Sequence, residues 1–233
     1  MEKWQGKVAV VTGASSGIGE ETCRQLVEKG MIVVGIARRE HKLQALEKDL
    51  KGKLGKFYYF KVDLCSEENI LKAFDWVKKT LKTVDVLVNN AGVWKPSDLL
   101  GNSNDWKKMF ETNVIGLNIC SRETIKIMEE TKIKVGHIIN INSIFGHYQF
   151  PYMKDISIYA ATKQSVTSIT ESFRELMSMK ELPIRVTSVS PGAVDTEMAV
   201  EFGLHKLKGV SMLKTIDIAD AIMYALSAPQ RVN

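Results

Sequence analysis

Tyr159 and Lys163 stand four positions apart in SIYAATKQS (157–165), a stretch otherwise made of small and polar residues. On a helix that spacing puts a phenol and an ammonium on one face, one turn apart, so both reach a single cleft. A free phenol titrates near pH 10, and a neighbouring cation lowers an acid's pKa by about 1 to 3 units, which suits proton exchange with a hydroxyl or carbonyl. Taken alone, the pair is more simply an amphipathic one, with the ring packed and the ammonium in water. Its neighbours in the sequence decide the matter.

A second group of residues suits an anion. TGASSGIGE (12–20) places Gly13, Gly17 and Gly19 after an apolar run and before an amphipathic one. Glycines let the backbone turn sharply and approach a ligand, and a helix N-terminus offers free N–H groups to a phosphate. A tight strand-to-helix turn would use the same glycines, but their place between the first strand and the first helix favours a dinucleotide site. Further on, GIARRE (35–40) offers Ala37, Arg38 and Arg39 where an NAD site usually carries an acid for the ribose 2′-hydroxyl. Guanidinium forks suit a 2′-phosphate, which an acid would repel, so NADP is expected over NAD. The missing acid also weakens a methyltransferase reading.

These groups need a scaffold that brings them together. Six apolar, β-rich runs, at 7–12, 31–37, 57–63, 84–89, 137–143 and 184–190, alternate with longer stretches of helical periodicity such as Ile70, Phe74, Val77 and Leu81. Repeated alternation predicts an α/β fold, a Rossmann-like doubly wound parallel sheet with helices on both faces and ligands beyond the carboxyl ends of its strands. The irregular stretches 91–105, 144–157 and 191–213 follow later strands and should gather at that edge. No repeat, low-complexity tract or linker divides the chain, so 1–233 is read as a single domain.

TGASSGIG, NNAG (89–92), Asn113 in TNVIGL, Ser143 in NINSI, YAATK and SPG (190–192) follow one another in that order. Together they resemble the short-chain dehydrogenase/reductase family, from Lys7 to about Leu226. Within it, the opening WQGKVAVVTGASSGIG, GIARRE, GHIININSI and IRVTSVSPGAV resemble a farnesol dehydrogenase-like subgroup of animal NADP-dependent enzymes. The resemblance implies that Tyr159 gives or takes the proton, Lys163 lowers its pKa and holds the nicotinamide ribose, Ser143 holds the substrate oxygen, and Asn113 supports the lysine through a water-linked path. It also implies a cofactor site made of Gly13, Ser15, Ser16, Gly17, Ile18 and Gly19 with Arg38 and Arg39. Asp63 and Leu64 would meet the adenine, Asn90, Ala91 and Gly92 the adenosine ribose, and Pro191, Gly192, Val194 and Thr196 the nicotinamide and diphosphate. Each also has a purely local reading: Asp63 or Thr196 at a helix start, Asn90 in a turn, Ser143 at a strand end.

Trp94, Ile144, Phe145, Phe150, Tyr152, Met153, Met198 and Phe202 give the expected substrate mouth an apolar character, suited to an isoprenoid, retinoid or steroid-like alcohol or carbonyl compound. The segment at about 195–214 reads as a lid, and it is short for a steroid pocket. The chain is expected to lack the family's last edge strand. A catalytically silent NADP-binding sensor on the same fold is the rival reading, though such proteins tend to lose the tyrosine or lysine.

Composition excludes other classes. With 45% hydrophobic and 25% charged residues the chain has the make-up of an ordinary globular protein. Its net charge of +5 comes from lysines interleaved with acids, without the basic stripe and aromatics of a nucleic-acid binder. Cys23, Cys65 and Cys120 lack metal or disulfide spacing, and the four histidines are scattered, so free thiols and no metal are expected. The N-terminus shows no secretory signal and no apolar run approaches the roughly 20 residues of a membrane span, so a cytoplasmic protein is expected. A homodimer or homotetramer, joined through long helices at 105–131 and 157–179, completes the expectation.

Overall fold

Strands buried on both faces read as unbroken apolar runs, and VAVVT forms β1 (Val8–Thr12) with all five residues buried. The computed structural model describes residues 1–148, 154–206, 209 and 211–232. The other strands are β2 (Ile32–Ala37), β3 (Lys56–Lys61), β4 (Val86–Asn89), β5 (Gly136–Ile141) and β6 (Ile184–Val189). They pair in the order β3-β2-β1-β4-β5-β6, and every pairing is parallel, with Val10 opposite Val34 and Leu87. Each predicted run overlaps one of these strands, with β3 and β5 starting one residue before theirs. β3 stops short of the run's end, although the Val62 N–H still donates to the Ala37 carbonyl at 3.0 Å.

The helices are α1 (Gly17–Glu28), α2 (Glu40–Leu50), α3 (Glu67–Leu81), α4 (Ser103–Phe110), α5 (Leu117–Glu130), α6 (Ser157–Met179), α7 (Glu197–Glu201) and α8 (Thr215–Ser227). Alternate strand residues point to opposite faces and so build two cores. Val8, Val10 and Val34 meet Phe74 of α3, Met128 of α5 and Phe173 of α6. Ala9, Val11 and Val33 meet Leu26 of α1, Leu46 of α2 and Ile222 of α8. This is the doubly wound sheet expected, and its order reverses between β1 and β4, where a crevice opens at the carboxyl ends. Among the described residues the sheet has six strands, with β3 and β6 at its edges.

The long helix predicted over 105–131 differs in one respect. Between α4 and α5 the backbone runs through a π-helical turn, Glu111–Gly116. Two contacts fall on that turn: a side chain on Gly116 would press to 2.8 Å from the Leu64 backbone oxygen, and the Asn113 side chain is tied to a neighbouring loop.

At the opposite end of the sheet lies a buried polar pair. Arg185 in β6 donates to His137 Nδ1 in β5 at 3.2 Å and to the carbonyls of Ala225 at 3.0 Å and Val232 at 2.9 Å. A guanidinium only donates, so Nδ1 must be bare, and the histidine proton sits on Nε2, which reaches Thr187 Oγ1 at 2.8 Å. Burial, then Arg185 and Lys3, lower the His137 pKa from 6.5 to about 3. Between those values the unfolded chain binds the extra proton, so this residue's contribution to stability falls as the pH drops from 6.5 towards 3, by up to about 1.4 kcal/mol per pH unit. His137→Gln keeps one acceptor and one donor without the titration. Urea unfolding between pH 7 and 4 is expected to give a shallower acid loss for the variant than for the parent, and parallel curves would refute the assignment.

Candidate active site

The crevice is a continuous cavity of about 620 Å³ running from the end of β2 to the start of α6. At one end β1 gives way to Gly13, with φ +68°, and α1 begins at Gly17, with φ +59°. A side chain on Gly13 would lie 2.8 Å from both Ala91 Cα and Asn90 Nδ2. On Gly19 it would collide with Asn90 Nδ2 and the Gly13 carbonyl. The Ser16 side chain does not cap α1, which leaves the first-turn N–H groups open towards the cavity. Thr12 Oγ1 fixes the turn to β4 by accepting from the N–H groups of Asn90 at 3.0 Å and Ala91 at 2.9 Å. This is a cradle into which backbone, but no added side chain, fits, and it suits the diphosphate of a dinucleotide.

Arg39 crosses the mouth of the turn. Its Nε donates to Ser15 Oγ at 3.3 Å and one terminal nitrogen to Ser16 Oγ at 2.5 Å. Its other terminal nitrogen pairs with Glu197 at the start of α7, 2.6 Å away. Arg38 lines the same end and is exposed. Asp63 and Leu64 form the wall beyond β3, where Asp63 Oδ1 also accepts from the Cys65 N–H at 3.1 Å.

At the other end α6 presents Tyr159 and Lys163, both buried. Ser143, at the end of β5, hydrogen-bonds the phenol. Lys163 Nζ donates to the Ile141 carbonyl at 2.8 Å and lies 5.7 Å from the centre of the Tyr159 ring. Burial lowers the lysine pKa to about 8. Burial also raises the Tyr159 pKa above the ordinary phenol range, against the opposing Ser143 hydrogen bond. The expected downward shift from the lysine is thus absent: burial raises the phenol's pKa, and only the Ser143 hydrogen bond opposes it.

Asn113 stands behind this wall. Its Oδ1 accepts from the Val93 N–H at 2.8 Å, and its Nδ2 donates to the Val93 carbonyl at 2.9 Å and to Thr162 Oγ1 at 3.1 Å. Asn113 and Gly19 do not line the cavity; every other expected catalytic or cofactor residue does. On the substrate side Trp94 stacks on Phe202 at 3.9 Å between ring centres, and Phe202 meets the edge of Tyr159 at 5.7 Å. Ile144, Phe145 and Met198 join that lining. Phe150, Tyr152 and Met153 fall outside the described residues. Sequence reasoning missed Glu197, a single acid whose partners are 155 and 158 positions away, and Thr162, which lies inside YAATK between the two residues that drew attention to that stretch. Among the described residues no cluster of His, Cys, Asp and Glu is placed to hold a metal.

Comparison with known proteins agrees with this geometry. The chain is 42% identical to a farnesol dehydrogenase of Aedes aegypti, over its whole length and 95% of that protein. It is 41% identical to dehydrogenase/reductase SDR family member 11 of Bos taurus, again over its whole length and 95% of that protein. An alcohol dehydrogenase of the archaeon Thermococcus sibiricus, solved with 5-hydroxy-NADP, superposes with a TM-score of 0.84 at 26% identity, covering 98% of this chain and 94% of the other. A short-chain dehydrogenase/reductase of Burkholderia phymatum, solved with NAD, reaches 0.88 at 25% identity, with 97% and 88% covered. The family model described as short chain dehydrogenase matches residues 7–206, and the chain belongs to that family of oxidoreductases.

Proposed function

We propose that this chain is an NADP-dependent oxidoreductase that moves hydride between the nicotinamide and an apolar alcohol or carbonyl compound, with Tyr159 as the acid or base. The observation that carries the reading is one cavity with two complementary ends. Tyr159, Ser143 and Lys163 stand at one end, and a glycine cradle faced by Arg39, with no carboxylate at the tip of β2, stands at the other.

The nicotinamide, when bound, supplies the hydride chemistry. The open N–H groups of α1 would hold the diphosphate, Arg39 and Arg38 the 2′-phosphate, Asp63 and Leu64 the adenine, and Asn90, Ala91 and Gly92 the adenosine ribose. Pro191, Gly192, Val194 and Thr196 would line the nicotinamide side. Ser143 would orient the substrate oxygen beside the Tyr159 hydroxyl, across which the proton passes. A phenol held neutral by burial is the form that gives a proton to a carbonyl oxygen during reduction. Lys163, already desolvated, would stabilise the phenolate that this leaves behind. Trp94, Phe145, Met198 and Phe202 exclude water and favour an apolar substrate, and likeness to a farnesol dehydrogenase makes an isoprenoid alcohol the first candidate.

We further propose one catalytic unit over 1–233, a cytoplasmic location, and assembly as a homodimer or homotetramer through α4–α5 and α6. Among the described residues no helix is long and apolar enough to cross a membrane.

The test follows nicotinamide absorbance with farnesol, retinal, steroids and small ketones, using NADPH or NADP⁺ and then NADH or NAD⁺. Turnover is expected with a preference for the phosphorylated cofactor. Arg39→Ala is expected to raise its KM by about tenfold to a hundredfold, the worth of a charged hydrogen-bonded contact, with little change for the other cofactor. Equal use of both cofactors by the parent would remove the NADP assignment. Tight NADPH binding without turnover on any substrate would favour a silent sensor.

A further inference from the structure

Glu197 opens α7, the short helix that covers the substrate end, yet its carboxylate reaches back to the cofactor end. It accepts from Arg39 at 2.6 Å and from Lys42 of α2 at 2.5 Å. Two further Arg39 donors go to Ser15 and Ser16. The guanidinium that faces the glycine cradle is therefore already bound to an internal anion. Met198 follows it directly on the same helix, and Phe202 caps the helix end, its N–H donating to the Met198 carbonyl at 2.9 Å. Phe202 is the ring stacked on Trp94 and set against Tyr159.

We infer that Glu197 is a latch: its carboxylate occupies the position of the cofactor's 2′-phosphate, holds α7 over Tyr159 until that phosphate arrives, and is then expelled. This rests on the NADP reading proposed above. The charges explain the exchange. Arg39 and Lys42 together carry two positive charges, which one carboxylate half neutralises and a phosphomonoester dianion neutralises fully. Carboxylate and phosphate on the same two cations would leave two anions in contact, which is repulsive. Hydrogen bonds from Lys42 and Arg39 also pull the Glu197 pKa down to about 2, so the carboxylate is charged at neutral pH. Release would not free the whole segment. Leu213 donates to the Ala193 carbonyl at 2.9 Å and accepts from the Asp195 N–H at 2.8 Å, so the base of the lid stays tethered while α7 moves. The 2′-phosphate would thereby open the aromatic cover, and cofactor would precede substrate.

The probes are adenosine 2′,5′-bisphosphate, 5′-AMP and NADH, titrated calorimetrically into the parent, Arg39→Ala and Glu197→Gln. Glu197→Gln is expected to bind the bisphosphate about fivefold more tightly than the parent, the upper range for an exposed ion pair, with NADH affinity unchanged. Trypsin cleavage after Lys206, in the lid, should be accelerated by the bisphosphate in the parent. In Glu197→Gln it should be fast from the start and unresponsive. Unchanged or weaker bisphosphate binding by Glu197→Gln overturns the latch. If the parent binds the bisphosphate no better than 5′-AMP, the NADP reading fails instead. A parent that prefers the bisphosphate, loses it in Arg39→Ala and is indifferent to Glu197→Gln would refute the latch alone.

Discussion

Tyr159→Phe is expected to lower kcat/KM by about a thousandfold, within the 10²–10⁴ range of a lost general acid. The substitution removes one oxygen and keeps the ring that packs edge-on to Phe145, at 6.2 Å between ring centres, and to Phe202. The Ser143 hydroxyl loses one hydrogen bond, worth about 1 kcal/mol, and the buried phenol no longer needs desolvation, so the folded protein should melt close to the parent. Cofactor affinity should likewise hold, because Lys163 keeps its bond to the Ile141 carbonyl. Three readouts then separate the roles. A fall in turnover alone assigns the proton to Tyr159; a parallel fall in NADPH binding assigns the ring to cofactor contact; undiminished turnover takes the phenol out of the reaction.

Asn113→Ala should cost about 3 kcal/mol of stability. It strands the Val93 N–H and carbonyl and takes a donor from Thr162, and each buried polar group left unpaired costs about 1–3 kcal/mol. For a chain of this size that loss lowers Tm by about 6–12 °C. Thr162→Val, which forfeits the shared bond to Asn113 and the 2.7 Å donation to the Tyr159 carbonyl, should cost less, about 1–2 kcal/mol. Activity should fall in Asn113→Ala as well, because Val93 carries Trp94 into the cavity wall. Thermal melts of both variants beside the parent decide it: an Asn113→Ala melt within about 2 °C of the parent would show that the amide is not what fixes this wall.

Much of this arrangement was legible because parallel strands buried on both faces must be written as apolar runs, and each of the six runs falls on a strand to within a residue or two at its ends. The cofactor cradle was legible for a different reason: Gly13 and Gly19 tolerate no side chain, so the requirement appears in the residue type itself. Asn90, Asp63, Ser143 and Thr196 had two readings, local and functional; all four line the cavity, and of the two expected at helix starts only Thr196 is there, since Ser66 rather than Asp63 caps α3. Thr196 caps α7 by accepting from the Ala199 N–H at 3.3 Å and still lines the cavity. What stayed hidden depends on distance rather than type. Nothing marks Glu197 as the partner of Arg39, because an exposed acid after a threonine looks like any helix start. Nor does a tyrosine four residues before a lysine reveal that both are desolvated together, which reverses the expected shift of the phenol.

The π-helical turn between α4 and α5 has a consequence for chain length. A helix turns about 100° per residue, and a π turn carries one more residue than an α turn spanning the same bonds. Loss of one residue from 111–116 would therefore let the backbone close as ordinary α-helix with everything beyond kept in phase, whereas the same loss from 117–120, in the first turn of α5, would rotate everything after it by about that angle. Ser121, which accepts from Asn89 at 2.9 Å, would swing off the sheet, and Met128 would leave the core. A conservative exchange along Ser103–Glu130 is therefore tolerable at many exposed positions, whereas a single-residue deletion is absorbed only at the π turn and elsewhere is a phase error carried by every residue that follows.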